Sequence, residues 1–181
     1  MVEPGPMRHA LAGFATGLAA VAAEIDGEII GMPVNSLQSV SLDPPLVSLS
    51  FAHTSTTWPR LRTAPRWGIS VLSEEMVAAA QDLRRPADQR FSGLTMNVLS
   101  GAAFIEGALA RISVAPRSEV VAGDHTLVIL DVLALDRDDA RDPLVFFGGR
   151  VRTLAQPRSV PGLRAGPRKL PRRGVAEPGS V

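Results

Sequence analysis

The chain has 181 residues, 45% of them hydrophobic, enough for one domain with a real core. It has no Cys, which excludes disulfides, thiolate zinc sites, iron–sulfur clusters and thiol catalysis; its three histidines, His9, His53 and His125, are too scattered to give a metal-binding spacing. The net charge of +1 is uneven: from Pro157 onward six basic residues face one acid, a charge of +5, so the rest carries −4 and does not read as a nucleic-acid surface.

In chain order, residues 1–6 (MVEPGP) read as a loose terminus and residues 7–16 as a helix, with Leu11 and Phe14 three apart and Gly17 as a stop. The run MRHALAGFATGLAAVAAEID imitates a signal peptide, but Thr16 and Gly17 break it and its apolarity is weak. No run reaches the ~18 apolar residues of a membrane span, so a soluble cytoplasmic protein is expected. LAAVAAEI reads as a strand, Asp26-Gly27 as a hairpin turn, and EIIGMPVNSLQSVS as one irregular strand. Pro33 cannot donate to a ladder and marks an edge, a bulge or a ligand-facing break. Asp43-Pro44-Pro45 is a rigid turn and LVSLSFA a strand. HTSTTWPRLRTAP is a loop entering a short helix, WGISVL a strand, and residues 74–84 a short helix ended by Arg84-Arg85-Pro86. Residues 108–139 give two long apolar strands, and PLVFFGGRVRTL is expected to close the domain as one final strand. Residues 156–181, with five Pro and four Gly, cannot bury enough apolar surface to offset their ordering entropy, and a disordered tail is expected. The expected fold is mainly β, a split β-barrel of about six or more antiparallel strands with a few short helices, and no G-x-G-x-x-G opens a helix. The domain is placed at 7–155.

Residues 31–59 combine strand-like apolar residues with an unusual load of hydroxyls and one Asn. Buried hydroxyls and amides need hydrogen-bond partners. Asn35, Ser36, Ser39 and Ser41 lie on or beside one strand; Ser55, Thr56 and Thr57 cluster in a loop after another. Loop N–H groups and hydroxyls make good phosphate ligands, and Asn can bond the edge of a heteroaromatic ring. Ser and Thr also serve as helix caps, and Thr57 before Trp58-Pro59 fits that role equally.

The run Gly31-Met32-Pro33-Val34-Asn35-Ser36-Leu37-Gln38-Ser39-Val40-Ser41-Leu42-Asp43-Pro44-Pro45-Leu46-Val47 resembles the signature of the flavin reductase family, whose members have the FMN-binding split-barrel fold. Phe14-Ala15-Thr16-Gly17, Ser55-Thr56-Thr57-Trp58-Pro59, Arg90-Phe91-Ser92-Gly93, Gly123-Asp124-His125 and Pro143-Leu144-Val145 follow in family order, covering about residues 7–154. Pro33 stands where the family has Thr, removing a hydroxyl and a backbone N–H. Phe147 stands before Gly148-Gly149 where many relatives carry His.

The resemblance implies an NAD(P)H-dependent flavin reductase that passes hydride to N5 of FMN or FAD at a homodimer interface and supplies reduced flavin to a partner monooxygenase. NADH or NADPH is the cosubstrate. A flavin-holding electron carrier and a non-catalytic split-barrel binding protein are the alternatives. By the same resemblance Met32, Pro33, Asn35 and Ser36 lie at the isoalloxazine, and Ser39, Val40 and Ser41 along the ribityl and phosphate side. Ser50 and Phe51 follow on the adjacent strand, and Ser55, Thr56 and Thr57 hold phosphate. Phe91 either covers the flavin or belongs to the core. His125 is the candidate catalytic group near the nicotinamide, or else a His bonded only locally. Membrane and nucleic-acid partners are not expected.

Overall fold

The computed structural model describes residues 2–154; the expected tail, 156–181, lies outside them. Twelve strands and three α-helices run in the order α1 (Pro4–Leu11), β1 (Thr16–Gly17), β2 (Ala19–Ile25), β3 (Glu28–Val34), β4 (Gln38–Leu42), β5 (Pro45–Ala52), α2 (Trp58–Leu61), β6 (Trp67–Val71), α3 (Val77–Asp82), β7 (Met96–Leu99), β8 (Ala102–Ile105), β9 (Ala110–Ala122), β10 (His125–Arg137), β11 (Val145–Phe147) and β12 (Arg150–Arg152). A 3₁₀ turn, Glu74–Met76, leads into α3.

All pairings are antiparallel. The main sheet runs β4-β5-β10-β9-β6-β2-β8-β7, with β3 on the other side of β2; β1, β11 and β12 form a small separate sheet. The main sheet is strongly extended but not closed on itself, as in a split barrel.

Four two-residue turns set the registers. Asp26 (φ 54°) and Gly27 (φ 80°) join β2 to β3, and Gly148 and Gly149 (φ 60° and 74°) join β11 to β12. Ser100 and Gly101 (φ 51° and 85°) join β7 to β8. Positive φ at both central residues twists a turn in the same sense as its flanking strands. Gly123 (φ 62°) opens the β9–β10 turn at the one position that needs a left-handed residue there.

The alanine-rich β2 owes its composition to burial on both faces. Ala19, Val21 and Ala23 point into one core with Leu49, Phe51, Trp58, Trp67 and Val128. Leu18, Ala20 and Ala22 point into a second core with Leu72, Leu83, Phe91, Ile105 and Leu144. Three aromatic rings centre the first: Phe51 stacks on Trp58 (centroids 4.2 Å apart, planes 8° apart), and Trp67 meets both edge-on.

Four expectations are corrected. The first helix spans Pro4–Leu11, not 7–16, so residues 4–6 are helical rather than loose; Pro near the first helical position is pre-organised for a start, and none of its residues is buried. EIIGMPVNSLQSVS is two strands, because the chain leaves β3 after Val34 and β4 pairs only with β5. PLVFFGGRVRTL is a hairpin rather than one strand, turned by the Gly pair. The β7–β8 hairpin has no counterpart in the expected elements. Pro33 resolves as an edge residue: β3 pairs only with β2, and its outer side is free.

Candidate functional site

The free side of β3 borders two clefts. The larger, about 570 Å³, lies at the Glu28–Gly31 end and is walled by Thr56, Thr57, Arg60, Asp88, Phe91 and Ser92. The smaller, about 260 Å³, lies at the Pro33–Asn35 end, against Leu18, Ala80, Arg84, Phe146 and Val151. One edge strand therefore brings together loops far apart in sequence. β3 can lie close to β2 because residue 31 is Gly: a Cβ there would fall 2.3 Å from the Val21 carbonyl oxygen and 2.6 Å from the Ala22 Cβ.

Arg90 ties the larger cleft together. Its Nη1 donates to Thr57 Oγ1 (2.8 Å) and to the Gly31 carbonyl (3.2 Å), and its Nε donates to the Arg85 carbonyl (3.1 Å). Burial holds its pKa below the ordinary guanidinium value, and among the described residues no carboxylate pairs with it. A half-buried cation without a counter-ion, beside hydroxyls and a free strand edge, suits an anionic ligand. Arg60, at the mouth, is engaged by Glu28 (2.8 Å).

The residues expected from the sequence divide among several places. Thr56, Thr57 and Phe91 line the larger cleft. Phe91 is also buried in the second core, so both of its readings hold. Thr57 is 4% exposed and accepts from Arg90; it makes no side-chain cap on α2. The cap belongs to Ser55, whose Oγ accepts the Trp58 N–H at 3.1 Å and lies 3.8 Å from the Met32 sulfur. Pro33 and Asn35 line the smaller cleft, and half-buried Met32 sits between them and Gly31 on β3. Ser36 is a latch: its Oγ accepts the Ser50 N–H (3.1 Å) and faces the Ser50 carbonyl (3.4 Å), fastening the β3–β4 link to β5.

Ser39, Val40 and Ser41 sit on β4, where the register shifts between Ser39 and Ser41; Val40 is exposed and Ser41 half-buried. They line neither cleft. The ring of Phe51 is fully buried against Trp58, so only its backbone can face a ligand.

His125 opens β10 opposite Ala52 and lines neither cleft. Its Nδ1 lies 2.7 Å from Asp124 Oδ1, and this hydrogen bond is the main reason the Asp124 carboxyl is held below the usual carboxylate range. His53 is close by, its N–H bonded to the Asp124 carbonyl and its Nε2 3.2 Å from Thr126 Oγ1. Among the described residues no group of three His, Cys, Asp or Glu could hold a metal ion.

Sequence reasoning singled out neither Arg90, which braces the larger cleft, nor Arg84, which lines the smaller. Arg90 stands directly before Phe91 in a matched motif, and its charge was the available signal.

Residues 11–155 match the model of the flavin reductase-like domain family. The chain is 38% identical over 143 residues to the FMN reductase (NADH) SmoA of Agrobacterium fabrum, covering 78% of this chain and 81% of that one. The structure resembles the NADH:FAD oxidoreductase SgcE6 of Streptomyces globisporus, with a TM-score of 0.79 and 32% identity over 86% of this chain and 98% of that one. It also resembles the styrene monooxygenase flavin reductase of Pseudomonas putida, with a TM-score of 0.75 and 33% identity over 83% of this chain and 98% of that one.

Proposed function

The chain belongs to the flavin reductase-like domain family, and on that premise we propose that it is an oxidoreductase that reduces FMN or FAD with NADH or NADPH and hands the reduced flavin to a separate monooxygenase. The observation that carries this reading is the open edge of β3, with a cleft at each end, apolar walls, Thr and Asn donors, and an unpaired guanidinium behind one of them. That donor set fits a flavin. Thr56, Thr57 and Arg90 offer charge and hydroxyls for a phosphate, the β3 edge offers backbone groups, and Asn35 offers an amide for a polar ring edge.

A bound flavin supplies the redox chemistry, accepting hydride from reduced nicotinamide. The chain's own residues bind and orient. Arg90 and Thr57 fix the phosphate wall, and the Ser36–Ser50 latch holds the start of β4 against β5. Phe91 closes the larger cleft from the core side. The carboxylates that line the clefts are Glu28, ion-paired with Arg60, and Asp88, both in the larger one; the protein's contribution in this reading is positioning.

A homodimer acting in the cytoplasm completes the proposal. Its support is that His125 lies outside both clefts of its own chain, while Val121 on the adjacent β9 and, further along the sheet, Val40 and Leu42 on β4 are exposed apolar side chains that pairing would cover. Among the described residues no helix is long and apolar enough to cross a membrane.

The test is steady-state oxidation of NADH and NADPH with FMN and with FAD, alongside light scattering. Turnover with at least one pair is expected, from a dimer. Absence of oxidation with all four pairs overturns the enzyme reading, and a flavin-binding monomer at micromolar concentration overturns the dimer.

A further inference from the structure

We propose that α1 is an arm that seats on the outer face of β9 and β10 in a second copy of this chain, reciprocally about a two-fold axis; this rests on the dimer in the reading above and names its contact surface. The helix spans Pro4–Leu11, and none of its eight residues is buried. Helices shorter than about 12–15 residues are marginal in water, so one without a buried face lacks the packing that would hold it. Met7, Leu11 and Phe14 are 55%, 58% and 71% exposed. Leu11 and Phe14 follow Met7 at the four- and seven-residue spacing of one helical face. The turn continues past Leu11, because the N–H groups of Ala12, Gly13 and Phe14 donate to the carbonyls of Arg8, Ala10 and Leu11.

The same chain has a sheet face that lacks a layer. β10 is apolar on both sides. Val128 and Leu130 point into the first core, while Leu127 and Ile129 alternate with them, point the other way and belong to neither core. Both are half-buried. The register sets Ile129 between Ser48 of β5 and Ser118 of β9, and sets Val120 of β9, an exposed residue, opposite Leu127. Small serines beside larger apolar side chains make a shallow trough on the outer face. An antiparallel sheet can leave one face to water when that face is polar; apolar residues on both faces call for a layer over each. The dimensions agree. From His125 to Ile129 the strand runs ~13 Å at ~3.3 Å per residue, and an eight-residue helix is ~12 Å long at ~1.5 Å per residue.

The helix that fits is the second copy's, not the chain's own. The Gly148 N–H donates to the Ala12 carbonyl (2.9 Å), and β1, which follows α1, pairs with β11. These contacts hold α1 to the small sheet, beside which Leu144 enters the second core, whereas the trough backs the first. Among the described residues α1 is the one α-helix that buries nothing: α2 buries Trp58 and Leu61, and α3 buries Ala79 and Ala80. One chain therefore holds a helix without a seat and a seat without a helix, and keeps them apart. A two-fold pair resolves both, since each copy supplies what the other lacks. It also makes two seats, so that each copy buries a helix face and a trough towards the roughly 800 Å² per partner of a stable dimer.

The chain has no Cys, so cysteines can be placed at will in the full-length protein. Leu11→Cys/Val120→Cys is treated with a short bismaleimide and run on a denaturing gel beside each single variant. A covalent dimer from the double variant, and from neither single one, is expected. Cross-linking of Leu11→Cys alone would mean that helix meets helix, and of Val120→Cys alone that strand meets strand. Either result, or no covalent dimer from the double variant, overturns the seat. Light scattering of Met7→Glu/Leu11→Glu at micromolar concentration is the second measurement. Both side chains are exposed within their own chain, so the circular dichroism is expected to hold while the scattering mass halves. A loss of the sheet signal would mean that α1 serves its own fold, and would overturn the proposal. A variant that remains a dimer also overturns it, while leaving the dimer reading intact. A monomeric wild type sinks both, and a dimer that cross-links as expected yet oxidises no nicotinamide sinks the reductase reading alone.

Discussion

The Nη1 of Arg90 lies 2.8 Å from the hydroxyl of Thr57, which joins the loop before Phe91 to the loop before α2 across 33 positions of sequence. The same nitrogen reaches the Gly31 carbonyl, so one guanidinium holds three walls of the larger cleft. Arg90→Ala is expected to weaken FMN binding by about 1.5–3 kcal/mol, the usual worth of a hydrogen bond to a charged group. Riboflavin, without phosphate, is expected to lose much less. Fluorescence titration with both ligands checks this, and equal losses would mean that Arg90 only supports the loop.

Ser55 is expected to act on stability rather than affinity. Its Oγ caps α2 by accepting the Trp58 N–H, so Ser55→Ala is expected to cost about 0.5–2 kcal/mol in urea unfolding. Thr56, exposed in the larger cleft, is the opposite case: Thr56→Ala is expected to leave stability within about 0.5 kcal/mol and to weaken FMN.

Gly31→Ala places a Cβ 2.3 Å from the Val21 carbonyl oxygen, a backbone atom in a central strand. Over-packing of this kind costs typically 1–3 kcal/mol, and the shift of β3 is expected to lower flavin affinity as well. Thermal unfolding with and without flavin checks both effects.

Trp58→Ala removes the ring stacked on Phe51 and opens a cavity in the first core. A loss of about 3–5 kcal/mol is expected in denaturant unfolding.

The Asp124–His125 contact is expected to be visible in acid. The hydrogen bond from His125 lowers the Asp124 pKa, so the contact stabilises the fold above the ordinary aspartate range and is lost as pH falls through the depressed value. A carboxyl NMR titration is expected to place Asp124 below ordinary aspartates and to return it towards them in His125→Ala. The same variant is expected to slow flavin reduction or raise KM for the nicotinamide while flavin stays bound. Stopped-flow absorbance separates the two. Unchanged rate and KM in a folded, flavin-binding variant would leave His125 a local partner of Asp124 and nothing more.

The sequence by itself determined whatever depends on neighbours along the chain. Asp26-Gly27 and Gly123 fix their turns because left-handed backbone is cheapest at glycine and tolerable at Asp, and those dipeptides are legible as such. β5, β6, β9 and β10 follow from their apolar runs, and the ordered motifs from Phe14 to Val145 carried the resemblance that the family match bears out. Pro33 could be narrowed to an edge, a bulge or a break, because a missing N–H is a local fact.

Tertiary structure decided what depends on which segments meet. Hydroxyls that look alike in sequence acquired different roles: Ser36 latches β5, Ser55 caps α2, Thr57 anchors Arg90 and Thr56 faces a cleft. Phe51 could be read as a ligand contact until Trp58 and Trp67 closed around it. The β7–β8 hairpin was hidden because its Ser-Gly turn is a weaker signal than Asp-Gly and its strands are four residues each. Arg90 emerged only when its guanidinium was found bonded to Thr57 and Gly31 with no carboxylate partner among the described residues. Whether a charge is paired is a property of space, and spacing along the chain does not contain it.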